Sequence, residues 1–231
     1  MNQNWSSNSD KTINSSARIV FDLDGTLIDS APDIQNIANA GLAKIGVAPI
    51  TLEETHSFIG KGIQNFIEQM RKARDVPKKY QEQLLEDLVA RYEHAVDLTV
   101  MYPGVLEALN SLAQSHQLGI CTNKLHRPCM AILKHLKIEQ FFQTVWSGDN
   151  RLARKPNPAP LRAAFEDLGT GLCIYVGDSE IDAETAQRAE VPFILFTQGY
   201  RNKPVDQIPH DVALESFTDL STKIKIIMAN S

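Results

Sequence analysis

The sequence predicts an α/β fold, a parallel β-sheet covered by helices on both faces, with a helical domain inserted after the first strand. Short β-rich apolar blocks alternate with stretches of helical period, the pattern of strand–helix–strand units. The alternation is broken once, between residues 31 and about 98, where helical patterns follow one another without a β-like block. Parallel strands joined this way are buried on both faces and read as near-continuous apolar runs, as these blocks do.

Residues 1–16, rich in Ser and Asn and lacking the apolar core of a secretory signal, read as a flexible tail. Ile19, Val20 and Phe21 form the first strand, ending at Asp22 beside an Asp-Gly turn signal. Ile34, Ile37, Ala38, Leu42 and Ile45 then open the insert on one helix face, and two further helical stretches follow, one of them YQEQLLEDLVARYEHAV. Pro103 and Gly104 mark the return to the sheet, with Pro103 placed just before or at a helix start. Val105, Leu106, Leu109 and Leu112 share the next helix face. Strand blocks LGICTN (118–123), TVWSGD (144–149), CIYVGD (173–178) and FILF (193–196) come after it. Between them lie helical faces of Ile132, Leu133 and Leu136, then of Leu161, Ala164, Phe165 and Leu168. The expected division is a tail over 1–16, a sheet domain over 17–29 and 101–231, and a helical domain over 30–100.

With 231 residues and 43% hydrophobic content the chain can bury one good core and an accessory domain. The formal charge of -5 and the lack of a basic cluster argue against a nucleic-acid partner. A small anionic substrate stays compatible, because a site needs only one or two local cations. Cys121, Cys129 and Cys173 are odd in number and show no C-x-x-C pairing, so they read as free thiols of a reducing compartment. No apolar run approaches the roughly 18 residues of a membrane span. The expectation is a cytoplasmic monomer or homodimer.

In open parallel sheets ligands bind at the carboxyl ends of the strands, so the residues after each block carry the information. Asp22 and Asp24 follow the first strand, and Thr122, Asn123 and Lys124 follow LGIC. Lys155 lies in ARKPNPAP, and Asp178, Ser179 and Asp182 follow CIYV. Residues two apart in extended chain point the same way, so Asp22 and Asp24 can face one site. Clustered carboxylates repel, and burying them unpaired is costly. A divalent cation such as Mg²⁺, which takes one or two carboxylates, waters and a phosphate oxygen, resolves that conflict, and Asp22 with Asp178 could supply the cage.

FDLDGT, CTNK, KPNPAPL and VGDSEID, in this order, resemble the four motifs of the haloacid-dehalogenase superfamily. The helical insert resembles the cap domain of that superfamily, and the resemblance covers nearly everything after the tail. It implies a Rossmann-like core, Mg²⁺ as cofactor and a small phosphorylated metabolite as substrate. By the same resemblance Asp22 matches the nucleophile that forms an aspartyl-phosphate, and Asp24 the general acid/base whose main-chain carbonyl also binds metal. Thr122 and Asn123 match the phosphoryl-binding position, Lys155 the charge-offsetting lysine and Asp178 a metal ligand. Asp182 matches the second acidic residue of the last motif, which supports the site through water or Lys155. Dehalogenases of the superfamily lack an aspartate where Asp24 stands, which favours phosphate ester chemistry. TNK, KPNPAPL and QGYRN look most like phosphoglycolate phosphatases, making 2-phosphoglycolate the leading substrate.

Other readings remain open on the sequence. Asp-Gly alone is a turn signal. Lys61, between Gly60 and Gly62, is either a solvated loop lysine or a contact for the substrate carboxylate. A capped phosphatase or mutase acting on a sugar phosphate, nucleotide or pyrophosphate shares every motif. A phosphonate hydrolase would use a cap lysine, Lys44 or Lys61. A phosphorylation switch of the response-regulator kind also uses Asp, Thr and Lys, but Asp24 and the insert count against it. His94, His116, His126 and His135 lack ligand spacing.

Overall fold

The computed structural model describes residues 16–149 and 153–230. The tail expected over 1–16 lies, apart from Ser16, outside the described residues. In chain order the elements are β1 (Ala17–Phe21), β2 (Ile28–Asp29), α1 (Ala31–Lys44), α2 (Leu52–Phe58), α3 (Ile63–Ala73), α4 (Gln81–Tyr92), β3 (Val100–Met101) and α5 (Val105–Leu112). They continue with β4 (Gln117–Cys121), α6 (His126–His135), β5 (Thr144–Trp146), α7 (Ala159–Asp167), β6 (Leu172–Gly177), α8 (Glu180–Ala189), β7 (Phe193–Phe196), β8 (Val212–Leu214) and α9 (Leu220–Ala229).

Six strands form one sheet in the order β5-β4-β1-β6-β7-β8, every pairing parallel. The alternation of side chains along β1 explains why both faces are covered. Ala17, Ile19 and Phe21 pack with Leu109 of α5, Ile132 of α6 and Ile224 of α9 on one face. Val20 packs with Leu161 and Phe165 of α7 and Ala186 of α8 on the other. Because β1 sits between β4 and β6, the chain leaves it towards one side of the sheet and later returns to the other. That reversal opens a crevice at the carboxyl end of β1.

The insert has a core of its own, in which Ile34 and Leu42 of α1 meet Phe66 and Ile67 of α3 and Leu84 and Leu88 of α4. Four α-helices build it where the sequence pattern gave three stretches, because α2 is only seven residues long. Its start is fixed by a capping box: Glu54 N donates to Thr51 Oγ1 at 3.1 Å and Thr51 N donates to Glu54 Oε2 at 2.7 Å. The two connections to the sheet are tied together. β2 and β3 pair antiparallel, and Asp33 accepts from Leu98 N at 3.0 Å and from Thr99 Oγ1 at 2.7 Å.

One helix face needs correction. On α5, Val105, Ala108, Leu109 and Leu112 are buried, but Leu106 is 38% exposed. The buried stripe follows the i, i+3, i+4, i+7 spacing from Val105, which leaves Leu106 a full 100° round the helix. The pairing of β2 with β3, and the edge strand β8 with α9 after it, were not read from the sequence; each of these strands is three residues or fewer.

Candidate active site

Asp22 leaves the sheet with its N–H still donating to Val176 O at 2.9 Å, so its position is inherited from β1 and β6. The next residues coil into a tight turn in which the N–H groups of Thr26, Leu27 and Ile28 all point to Leu23 O. Gly25 is required in that turn. Its φ is +86°, and a Cβ there would lie 2.5 Å from Asp178 Oδ2 and 2.8 Å from the Tyr200 ring. The backbone of the first motif therefore lies directly against the carboxylate of the last.

Asp178 is buried and accepts from Thr26 Oγ1 and Tyr200 N, both at 2.6 Å. Asp182 is fully buried. Its Oδ2 accepts from Ser179 Oγ at 2.6 Å and, as half of the capping box of α8, from Ser179 N at 3.2 Å, and its Oδ1 accepts from Lys155 Nζ and Tyr175 OH, both at 2.7 Å. Lys155 Nζ also lies 2.9 Å from Asp22 Oδ1. Burial lowers the pKa of that lysine, but Asp182 and Asp22 outweigh it and hold the pKa above the usual lysine value. Asp182 shows the complementary effect: burial raises it, but the charge and hydrogen bonds of Lys155, with Ser179 and Tyr175, hold it below the usual carboxylate range.

Asp22 and Asp178 behave differently. Burial, with the charge of Asp182, pushes the Asp22 carboxyl up to about 7 in spite of Lys155. Burial and the charges of Asp182 and Asp22 push Asp178 well above the usual value. Asp22 Oδ1 is buried and receives no hydrogen bond, since Lys155 stands at ion-pair distance without hydrogen-bond geometry. One oxygen from each of Asp22, Asp178 and Asp182 lies within 4.8 Å of the others. An orphaned carboxylate oxygen inside such a cluster fits a divalent cation, which favours the ionised forms that burial opposes.

Asp24 stands apart from this group. Its Oδ1 accepts from Ser30 Oγ at 2.5 Å and from Lys124 Nζ at 2.9 Å. Thr122 and Asn123 follow β4 to the same edge. The Asn123 amide is engaged on both sides: Nδ2 donates to Gly60 O at 2.8 Å and to Lys155 O at 3.0 Å, and Oδ1 accepts from Lys155 N at 3.0 Å. Asp22, Asp24, Thr122, Asn123, Lys155 and Asp178 are thus brought together. Lys61 is not: it is exposed and does not line the cavity that its neighbours Gly60 and Gly62 border.

That cavity, about 40 Å³, lies between the sheet edge and the insert. Its sheet side presents Asp22, Asp24, Thr122, Asn123 and Lys124. The insert contributes the apolar side chains of Ile34, Ile59, Ile63, Phe66 and Leu88, and Tyr92.

A matching family, described as haloacid dehalogenase-like hydrolase, covers residues 19–196. The chain belongs to the haloacid dehalogenase-like hydrolase family. It is a hydrolase, and it groups there with enzymes named as phosphatases. It is 40% identical over 205 residues to the phosphoglycolate phosphatase of Rhodobacter capsulatus, covering 87% of this chain and 94% of that one. To the phosphoglycolate phosphatase of Caulobacter vibrioides it is 32% identical over 210 residues, covering 88% and 89%. The crystal structure of a predicted phosphoglycolate phosphatase from Haemophilus somnus superimposes with a TM-score of 0.83 at 25% identity, covering 91% and 98%. A haloacid dehalogenase-like hydrolase from Streptococcus pneumoniae shares the fold, with a TM-score of 0.79 at 20% identity, covering 91% and 99%. The resemblance read from the four motifs is borne out.

Sequence reasoning gave no role to Tyr92, Tyr175, Tyr200 or Ser30. Tyr175 is fully buried in the apolar run of β6, where a phenol needs a partner, and that is the one signal that could have found it. Tyr200 OH donates to Asp29 Oδ1 and accepts from Ser30 N at 2.9 Å, while its ring stacks on His56 at 4.7 Å between centroids. Among the described residues no helix is long and apolar enough to cross a membrane.

Proposed function

We propose that the chain is a Mg²⁺-dependent phosphatase that hydrolyses 2-phosphoglycolate through an aspartyl-phosphate on Asp22. The cavity supports this reading: one wall carries the phosphate chemistry, and the side chains that the insert presents on the other are, among the described residues, apolar apart from Tyr92, a lining poor in partners for sugar hydroxyls or a base. The names of the relatives point to the same substrate.

Asp22 and Asp178, with the main-chain carbonyl of Asp24, would hold the ion. When bound it offsets the charge of the phosphoryl group that otherwise repels a carboxylate nucleophile. Asp182, with both oxygens engaged, acts through Lys155 instead. Asp22 attacks phosphorus, the ester P–O bond breaks, and Asp24 gives its proton to the departing glycolate oxygen. Asp24 then takes a proton from water, which attacks the aspartyl-phosphate and frees Asp22 and inorganic phosphate. Lys155 stays charged beside both the nucleophile and the phosphoryl oxygens. Thr122 and the main chain of Asn123 receive those oxygens. The helical insert over residues 30–100 serves as the cap, excluding water while the core over 17–29 and 101–231 carries the chemistry. The enzyme works in the cytoplasm as a monomer or homodimer, with no nucleic-acid partner.

The test is phosphate release with and without Mg²⁺ from 2-phosphoglycolate, sugar phosphates, nucleotides, pyrophosphate and a phosphonate. 2-Phosphoglycolate should lead in kcat/KM by about tenfold or more, the span of a single charged contact. A different leading substrate overturns the substrate, and no turnover of any compound overturns the phosphatase.

A further inference from the structure

Lys124 is a buried cation to which the reaction above gives no task. It is 5% exposed, with a side chain fully shielded from solvent, and it is the only lysine or arginine bordering the cavity among the described residues. Its ammonium donates to Asp24 Oδ1 at 2.9 Å and to Tyr92 OH at 3.0 Å. Three donors therefore meet two oxygens, and the nitrogen lies 4.3 Å from the centre of the Tyr92 ring. Tyr92 ends α4, so the lysine bridges the catalytic edge of the sheet to the insert.

We infer that Lys124 is the specificity-determining residue for a carboxylate on the leaving group. This rests on the phosphoglycolate reading and says which residue recognises the acid end of that substrate. The carboxylate of 2-phosphoglycolate is two bonds from the ester oxygen, and Asp24 must stand beside that oxygen to protonate it. A cation 2.9 Å from Asp24 is therefore at the right place to receive the carboxylate as well. The apolar side chains of the insert cannot do so. Ile34, Ile59, Ile63, Phe66 and Leu88 offer no donor, and an unpaired carboxylate against them would be strongly disfavoured. The first turn of α3, where Gly62 and Ile63 border the cavity and no side chain caps the helix, adds partial positive charge of the same sense. Lys61, the cap lysine considered for this contact, is exposed.

The experiment compares 2-phosphoglycolate with its neutral amide in the wild type and in Lys124→Met. The wild type should prefer the acid, and in the variant kcat/KM for the acid should fall about 10- to 100-fold further than that for the amide, as expected for one charged hydrogen bond, so that the preference is lost. If both substrates fall together, Lys124 only positions Asp24 and the inference is overturned. A variant that keeps the wild-type preference overturns it as well. If the wild type itself does not prefer the acid, the phosphoglycolate reading fails, a different result from either. Should Lys124→Met fail to fold, Asp24→Asn and Asp24→Asn/Lys124→Met supply the comparison, because the pair leaves no unmatched buried charge. Calorimetric binding should favour the acid by about tenfold in the first and not in the second. Equal preference in both variants overturns the inference.

Discussion

Replacing Lys155 with Met should remove the charge that holds the buried carboxylates together, and the cost can be worked from its contacts. The ammonium lies 2.7 Å from Asp182 and 2.9 Å from Asp22, and Lys155 is 5% exposed. Without it Asp182 keeps donors from Ser179 and Tyr175, while Asp22 Oδ1, already without a hydrogen bond, keeps none. Breaking a buried ion pair by deleting one partner costs about 3–5 kcal/mol. For a chain of this size that is roughly 6–20 °C in Tm. The loss should shrink as pH falls, with a definite sign. Lys155 depresses the Asp182 pKa, so that group adds stability above the unfolded value of 3.8 and loses it as pH falls through the folded value. Calorimetry of the metal-free variant at neutral and acid pH, with Asp182→Asn and the double variant, measures this. The double-mutant coupling should be about 1.5–3 kcal/mol. A loss under about 1 kcal/mol in a folded variant, or no coupling, would refute the reasoning.

Gly25→Ala should lose about 1–3 kcal/mol of stability from backbone strain and, through the displaced Asp178, weaken Mg²⁺ binding; unchanged Mg²⁺ titration calorimetry would count against that contact. Metal-free protein should lose stability as pH rises. The raised Asp22 carboxyl contributes fully below the unfolded value of 3.8 and loses that contribution through about 7, with Asp178 acting in the same direction. Mg²⁺ should accordingly raise Tm more at about pH 8 than at about pH 5. An equal thermal shift at both would mean that these carboxylates do not carry the binding. Asn123→Ala should raise KM more than it lowers kcat, because the amide ties the Gly60 loop to Lys155, and steady-state kinetics will read the split.

What could be read from the sequence was what depends on local pattern. Ile19, Val20 and Phe21 announce a strand buried on both faces, and Asp22 and Asp24 announce a charged site at its end, because period and spacing alone decide both. Tyr92 was hidden because it occupies the buried stripe of α4 beside Leu88, where any large side chain reads as core. Its contact with Lys124 depends on how the insert folds back over the sheet, and no local pattern records that. Lys61 between two glycines looked like a site residue, but the φ values of +111° and +82° at Gly60 and Gly62 bend the loop so that its backbone, rather than the lysine, borders the cavity. Leu106 failed for a simpler reason: apolar type was counted without its angle round the helix.

The central claim is that Asp22 carries the phosphoryl group. Rapid-quench reaction of Asp24→Asn with 2-phosphoglycolate labelled in its phosphate tests it most directly, since that variant should form the intermediate and be slow to hydrolyse it. The expected result is a Mg²⁺-dependent, hydroxylamine-labile label on the peptide holding Asp22, and none in Asp22→Asn. Label on another residue, or Mg²⁺-dependent phosphate release from Asp22→Asn at the wild-type rate, would contradict it.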